Sequence, residues 1–167
     1  QWLAAKGVTV IGTVGSDAKK ETILANGAAH AVNYKTENFT EAARDVTGGE
    51  GVHVVYDSVG KDHYQGSIDS LRRRGMMINF GNASGPVPPI DAVELNVKGS
   101  LFFTKASMRF YQLSRAELEN SAATLFDAIG SGAVKPFIGQ TYALADAAQA
   151  HIDVWDGKTT GSTVLSV

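Results

Sequence analysis

Short runs of apolar and β-branched residues alternate along this chain with segments of helical length. Such alternation is typical of an α/β domain, because the strands of a parallel sheet are buried on both faces and each is followed by a helix that covers the sheet. The runs that we predict as strands are Val8–Val14, Ala31–Tyr34, Val52–Asp57, Met76–Phe80, Ser100–Thr104 and Ser162–Val167. The segments that we predict as helices are Asp17–Ala25, Phe39–Val46, Tyr64–Leu71, Asp91–Leu95, Ser114–Ile129 and Leu144–Trp155. The pattern therefore predicts an α/β fold with a doubly wound parallel sheet.

The first seven residues have the pattern of a helix end, with Gly7 at the position that favours a left-handed cap. No initiating Met precedes them, and no G-x-G-x-x-G loop lies between a strand and a helix. Both features are explained if the chain starts inside the helix that follows such a loop. We therefore expect an incomplete sheet that lacks its first strand. The slot between Val8–Val14 and Val52–Asp57 is then either empty or filled by another segment or chain.

Composition narrows the function classes. The 167 residues include 15 basic and 17 acidic ones, and the formal net charge of −2 gives no strong field for nucleic acid or an anionic membrane. The chain has no cysteine, so it contains no disulfide and no cysteine-ligated metal. No apolar run reaches the roughly 20 residues of a membrane span. We expect a cytoplasmic protein that acts on a small molecule.

The carboxyl ends of the predicted strands are the candidate binding site, because ligands of doubly wound sheets bind there. Four of these ends combine small residues with hydroxyl or amide groups. They are Gly12–Ser16, Asn33–Lys35, Asp57–Gly60 and Phe80–Gly85. Such residues let a ligand approach the backbone and offer it hydrogen bonds.

The end of the first strand indicates which cofactor is bound. NAD sites usually carry a carboxylate there for the ribose hydroxyls, whereas NADP sites carry small or basic residues. This chain has Gly15 and Ser16 followed by Lys19 and Lys20, a set that suits a 2′-phosphate. Asp17 is a nearby carboxylate, but the helix dipole is sufficient to explain its position in the first helical turn. For the two lysines, an exposed helix face is the alternative.

Other polar residues have structural explanations beside functional ones. Tyr34 either contacts a cofactor or packs at the strand end. Asp57 is a candidate acid or base, although a capping or loop-fixing carboxylate is favoured. The three arginines 72–74 are expected at a solvated helix end, where they complement the helix dipole. Surface or satisfied side chains are expected for the isolated histidines, His30, His53, His63 and His151.

The order and spacing of several motifs resemble a known family. The motifs are Gln1 to Gly7, Gly12 to Gly15 with Lys19, Asn33 and Tyr34, Val54 to Gly60, Arg73 to Gly75, Phe80 to Gly85, and Lys98 to Leu101. Each motif is weak alone, but together they resemble the zinc-free quinone oxidoreductase branch of the medium-chain dehydrogenase/reductase superfamily, which includes zeta-crystallin. The resemblance covers essentially the whole chain and implies a Rossmann-like domain that binds NADPH.

The resemblance also implies roles for residues of this sequence. Lys19 and Tyr34 are expected at the 2′-phosphate, with Gly15 and Ser16 beside the ribose. The residues expected to line the cofactor cleft farther along, towards the nicotinamide ribose, are Ser58, Val59, Gly60, Phe80, Gly81, Asn82 and Ser84. No catalytic residue and no metal ligand is implied.

Domain organisation and assembly follow from the same resemblance. Residues 1–136 are expected to form the NADPH-binding domain, and residues 137–167 to return to a substrate domain that lies outside this chain. The strand Ser100–Thr104 is expected to pair with its counterpart in a homodimer. The sequence departs from the family where Thr104, Lys105 and Ala106 replace the usual Thr-Arg-Pro.

The function implied is hydride transfer from NADPH to quinones or related α,β-unsaturated carbonyl compounds. The complete protein would perform it, and this part alone would be inactive. A non-catalytic NADPH-binding or structural, crystallin-like protein is the alternative. A methyltransferase is disfavoured. Such enzymes need an acidic residue at the end of the second strand of the complete sheet, and the corresponding strand here, Val8–Val14, ends without one at Gly12 to Gly15.

Overall fold

A computed structural model describes residues 1–167 as an α/β protein, and the predicted fold class is confirmed. Its α-helices are α1 (Trp2–Ala5), α2 (Asp17–Ala25), α3 (Phe39–Val46), α4 (Tyr64–Asp69), α5 (Ala92–Val97), α6 (Met108–Tyr111), α7 (Arg115–Gly130) and α8 (Ala147–Trp155). Its strands are β1 (Ile11–Val14), β2 (His30–Asn33), β3 (Val52–Asp57), β4 (Leu71–Asn79), β5 (Phe102–Lys105), β6 (Ile138–Ala143) and β7 (Ser162–Ser166). A 3-10 helix (Leu144–Asp146) precedes α8. None of the helices combines the length and the apolar character needed to cross a membrane.

All strand pairs are parallel, but the strands form three separate sheets. β1 pairs with β2, β4 lies between β3 and β5, and β6 pairs with β7. Strands β1 and β3 are thus not hydrogen-bonded to each other, which is the arrangement expected if a strand belongs between them.

The chain divides into two compact units. One is Leu3–Leu118, which contains the sheets β1-β2 and β3-β4-β5. The other is Glu119–Val167 together with Gln1 and Trp2, and it contains the sheet β6-β7. All of the candidate site residues lie in the Leu3–Leu118 unit.

The core of the Leu3–Leu118 unit forms where α4 packs on the three-stranded sheet. Tyr64 and Ile68 are four residues apart, so they lie on one face of α4. They pack with Leu71 and Met77 of β4 and with Leu101, and all five are buried. This core fixes α4 and β4 relative to each other, and with them the loops that leave β3 and β4.

Helices α2 and α3 and strand β3 have the predicted bounds, but the prediction for arginines 72–74 was wrong. They lie in β4, which begins at Leu71, and not at the end of a helix, because α4 ends at Asp69. The carbonyl of Ser70 accepts a hydrogen bond from the Val52 amide (2.9 Å). Pairing with β3 therefore replaces the helical bonds that would have continued α4.

Strand β5 also differs from its prediction, since it spans Phe102–Lys105 and not Ser100–Thr104. Ser100 has a left-handed backbone (φ 54°), and Leu101 is buried in the core. These two residues form the turn into the strand.

Strand β1 begins at Ile11 and not at Val8, because the preceding residues cap helix α1. Gly7 has φ 76°, its amide donates to the Ala4 carbonyl (2.9 Å), and the Val8 amide donates to the Leu3 carbonyl (3.0 Å). This pattern is a Schellman motif, so the cap predicted at Gly7 is confirmed.

Strand β6 was not predicted. Its residues Ile138–Ala143 include Gly139, Gln140 and Thr141, which interrupt the apolar pattern of a strand. It pairs with β7, and the Tyr142 hydroxyl donates to the Asp153 carboxylate on α8 (3.0 Å). These bonds join the strand to the other elements of its unit.

Candidate functional site

Gly15 and Tyr34 meet at the carboxyl ends of β1 and β2. The Tyr34 amide donates to the Val14 carbonyl (3.0 Å), which places the ring over the turn that follows β1. A Cβ atom at Gly15 would lie 2.8 Å from the Tyr34 hydroxyl, so a larger residue at position 15 would collide with it. The Tyr34 side chain is nevertheless 38% exposed and available to a ligand.

The two lysines of α2 differ in their partners. Lys20 forms an ion pair with Glu37 (2.6 Å). The Lys20 ammonium, together with the Asn33 amide, holds the pKa of the Glu37 carboxyl below its usual value. Lys19 is only partly buried, and no carboxylate lies within 4.0 Å of its ammonium. Lys19 is therefore free to bind an anion at this strand end. Lys35 is a second unpaired cation there, since its Cε atom would lie 3.5 Å from a Cβ atom at Gly15.

Ser16 and Asp17 complete this end of the site. Ser16 is the N-cap residue of α2, but its hydroxyl makes no capping hydrogen bond. Asp17 accepts a hydrogen bond from the side-chain amide of Asn33 (3.0 Å), so its carboxylate is held at the end of β2. The Ser16 hydroxyl remains available beside Gly15 and Lys19.

Asp57, at the end of β3, fixes the second half of the site. Its carboxylate accepts hydrogen bonds from the Gly60 amide (2.7 Å), the Ser67 hydroxyl (2.9 Å) and the Asn79 side-chain amide (3.1 Å). Asp57 is 4% exposed and Asn79 is fully buried. The loop-fixing role favoured for Asp57 is confirmed by these contacts.

The loops that follow β3 and β4 pack backbone against backbone. The Ser84 amide donates to the Val59 carbonyl (2.8 Å) and the Lys61 amide to the Gly85 carbonyl (3.0 Å). Gly60 has φ 88°, and a Cβ atom there would lie 2.3 Å from the Gly85 carbonyl oxygen. This close approach requires glycine and brings the predicted residues 58–60 and 80–84 together.

Gly81 and Ser84 tie these loops further. A Cβ atom at Gly81 would lie 2.4 Å from the Ser58 carbonyl oxygen. The Ser84 hydroxyl donates to the Val59 carbonyl (2.9 Å) and accepts from the Asp62 amide (3.0 Å). Ser84 thus orders the loops, whereas the Phe80 ring is 56% exposed at their edge.

Lys105, at the end of β5, anchors the loop after β4. Its ammonium donates to the side-chain oxygen of Asn82 (2.8 Å), to the Gly81 carbonyl (3.2 Å) and to the side-chain oxygen of Asn79. Sequence reasoning noted only the departure from the family pattern at this position. The anchoring role was missed, because the contacts of Lys105 with Asn79 and Asn82 join residues 26 and 23 positions apart.

His63 connects the two halves of the site. Its ring makes an edge contact with Tyr34 (4.8 Å between centroids) and a tilted contact with Phe39 (5.4 Å). The carboxyl ends of β2 and β3 therefore lie on the same side of the unit. This contact was missed, because neither residue has a neighbour in sequence that suggests the other.

The chain is similar in sequence to proteins described as dehydrogenases and reductases. A profile of the family described as zinc-binding dehydrogenase matches residues 26–165. Among curated proteins, the chain is 46% identical over 167 residues to a quinone oxidoreductase of Salmonella typhimurium, covering 99% of this chain and 51% of that protein. It is 45% identical over 165 residues to a 2-haloacrylate reductase of a Burkholderia species, covering 98% of this chain and 50% of that protein.

A solved structure gives the same picture. The crystal structure of Escherichia coli quinone oxidoreductase complexed with NADPH superposes with a TM-score of 0.94 at 42% identity, covering 99% of this chain and 52% of that one. The chain thus spans about half the length of the proteins that it matches.

The Asp57 network generates a stability prediction. In Asp57→Asn the three hydrogen bonds lose the negative charge that strengthens them, and the Ser67 hydroxyl has to accept from the new amide group instead of donating to a carboxylate. We expect the free energy of unfolding to fall by about 3 kcal/mol, measured by urea denaturation. Asp45→Asn removes the same charge from an exposed position on α3 and should change stability by less than about 0.5 kcal/mol. Equal stabilities for the two variants would refute a structural role for the Asp57 carboxylate.

Proposed function

Because the chain belongs to the zinc-binding dehydrogenase family, we propose that it is the NADPH-binding part of an oxidoreductase that reduces quinones or related α,β-unsaturated carbonyl compounds. Two relatives support the acceptor class, since their names are quinone oxidoreductase and 2-haloacrylate reductase. The observation that carries the cofactor assignment is the unpaired ammonium of Lys19 in the first turn of α2, while its neighbour Lys20 is neutralised by Glu37.

The end of β1 has the residues needed for the phosphorylated ribose of NADPH. Lys19 and the exposed Tyr34 hydroxyl would bind the 2′-phosphate, and the unused Ser16 hydroxyl would bind the ribose. Gly15 leaves the backbone open beside them. The carboxylate of Asp17 is held by Asn33 (3.0 Å), and Asp17 lies in α2 and not at the end of β1, where an NAD site carries its acidic residue.

The packed loops would line the rest of the cofactor. We assign this role to residues 58–60, Phe80, Gly81, Asn82 and Ser84, with Lys105 holding the loop after β4 in position. When bound, NADPH supplies the hydride, and the contribution of this chain is to bind and orient the cofactor. Rigid loops favour this task, because they do not need to be ordered when the cofactor binds.

Zinc has no part in this proposal, although the family description names it. The chain has no cysteine, and no three His, Asp or Glu side chains are grouped so that they could hold a metal ion. The residues of this chain therefore do not fit a zinc site.

The domain assignment is part of the same proposal. Residues 1–136 are assigned to the cofactor domain, and residues 137–167 to a segment that returns to a substrate domain. The sheet formed by β6 and β7, which begins at Ile138, supports this division, whereas the compact unit that contains the sheet begins earlier, at Glu119. Because the chain spans about half the length of its relatives, we propose that it is inactive alone. We also propose that the complete protein works in the cytoplasm.

We also propose that two copies of the protein pair through β5. This strand lies at the edge of its sheet, and the Phe102 side chain on it is 50% exposed. An apolar edge strand presents unpaired backbone groups and needs a cover, which a second copy of the same strand would supply. The range first predicted, Ser100–Thr104, is accordingly shifted to Phe102–Lys105.

Titration of the complete protein with NADPH and NADH tests the cofactor assignment. In Lys19→Ala the affinity for NADPH should fall roughly tenfold or more, because a charge-assisted contact to the 2′-phosphate is lost, whereas that for NADH should hardly change. Lys20→Ala is the matched control, and its effect should stay below about threefold because Lys20 is already paired at the surface. Equal affinity for both cofactors, unchanged by Lys19→Ala, would contradict the assignment.

Turnover tests the enzymatic proposal. The complete protein should oxidise NADPH when a benzoquinone or a 2-haloacrylate is added, followed by the loss of NADPH absorbance, and this chain alone should not. Tight binding of NADPH without oxidation by any such acceptor would instead support the non-catalytic, structural alternative.

Light scattering tests the proposed dimer. The complete protein should have the mass of two subunits, and Phe102→Glu should convert it to a monomer, because like charges would meet at the paired edges. Phe126→Glu, at a 67% exposed position on α7, should leave the dimer intact. A monomeric unaltered protein, or a dimer that survives Phe102→Glu, would refute pairing through β5.

A further inference from the structure

The arginines of β4 lie in an unusual bulge of the strand. Val52 is paired with Leu71 and Val54 with Met76, so residues 72–75 lie opposite a single residue of β3. Arg74 has a left-handed backbone (φ 59°), which is strained for a residue other than glycine. Its amide donates to the Gly99 carbonyl (2.8 Å), which holds the bulge in place. Three consecutive guanidinium groups are thus presented from a fixed loop of backbone.

The bulge forms one wall of a cleft of about 700 Å³. The cleft lies where β3, β4 and β5 begin, whereas the candidate cofactor site lies where β1, β2, β3 and β4 end. Its lining residues are Arg44, Glu50, Arg72, Arg73, Arg74 and Phe102. The volume is in the range of small-molecule sites, and the position is separate from the site described above.

The charges in this cleft are unbalanced. The Arg44 side chain is already bound within the protein. Its guanidinium donates to four backbone carbonyls, those of Gly49, Glu50, Asp69 and Leu71 (2.8–3.1 Å). The other three arginines have no carboxylate within 4.0 Å and make no side-chain hydrogen bond. Glu50 is the one acidic residue in the lining. Positive charge therefore exceeds negative charge in the cleft, and Glu50 forms no ion pair with these arginines.

Arg72 adds an independent observation. Its Nε atom is buried and is the one buried side-chain nitrogen or oxygen of the chain without a hydrogen-bond partner. Unsatisfied buried donors are rare in folded proteins, and a bound water or ion commonly accounts for them. An anion that binds the same guanidinium group would offset this unfavourable position.

We propose that this cleft is a binding site for a small phosphate-bearing anion. Guanidinium groups match the geometry of phosphate oxygens and bind them through paired hydrogen bonds, which an ammonium group does not do. Three such groups on one bulge suit a ligand with several negative charges. The proposal does not depend on the reaction or the cofactor of the complete protein.

Calorimetric titration of the complete protein with inorganic pyrophosphate tests the site. In Arg73→Gln, which changes an exposed side chain, affinity should fall roughly tenfold because a charge-assisted contact is lost. Arg109→Gln removes the same charge from helix α6, outside the cleft, and should leave the affinity unchanged. Glu50→Gln removes the opposing carboxylate and should tighten binding, so the two cleft variants move the affinity in opposite directions.

Three results would overturn the proposal. The first is the absence of pyrophosphate binding to the unaltered protein. The second is an equal effect of Arg73→Gln and Arg109→Gln, which would indicate a general response to charge. The third is a loss of binding in Lys19→Ala with none in Arg73→Gln, which would assign the anion to the end of β1. Unchanged melting temperatures of the unliganded variants serve as the control for folding.

Discussion

Three hydrogen-bond donors converge on the carboxylate of Asp57, and they come from the loop after β3, from α4 and from β4. Buried in this way, the carboxylate has no access to water, so each donor is needed to offset the cost of removing its charge from solvent. The position of Gly60 is set by this constraint, and Gly60 in turn sets how closely the loop after β4 can approach. Lys105 acts on the same loop from the other side through Asn82. The geometry of half of the candidate site therefore derives from one side chain.

A net charge of −2 conceals a strongly local distribution of charge. Several cations are neutralised close by, as Lys20 is by Glu37 and Lys98 by Asp69. Lys19 at the end of β1 and arginines 72–74 in the bulge of β4 have no carboxylate partner. These positions could not be distinguished by counting charges in the sequence, because the two neighbouring lysines differ only in what the fold brings next to them. The Asn33 amide holds the Glu37 carboxylate, and Glu37 then pairs with Lys20 and not with Lys19.

Much of the fold could be predicted where local signals and tertiary contacts agree. The bounds of α2, α3 and β3 were correct, because each has strong local punctuation such as Gly15 or the pair Gly48 and Gly49. Prediction failed where contacts distant in sequence decide the outcome. Arginines 72–74 were assigned to a helix end because no residue near them in sequence indicates that the Val52 amide donates to the Ser70 carbonyl.

The candidate site shows the same division between local and distant signals. Its loops could be predicted because glycine and small polar residues at strand ends are local features. The contacts of His63 with Tyr34 and of Lys105 with Asn82 join elements far apart in the chain, so no local sequence pattern predicts them. Strand β6 was missed for a related reason, since pairing with β7 and not its own apolar pattern makes it a strand.

The division of the Leu3–Leu118 unit into two sheets has a consequence for handling the chain in solution. β1 and β3 each present one edge whose backbone amides have no strand partner in this chain. Those amides exchange their hydrogens with solvent faster than the amides of β4, which is paired on both sides. Free edges also recruit strands from other molecules, so the isolated chain is prone to concentration-dependent self-association. A strand placed between β1 and β3 would slow the amide exchange and reduce the self-association together, because its hydrogen bonds would occupy both free edges.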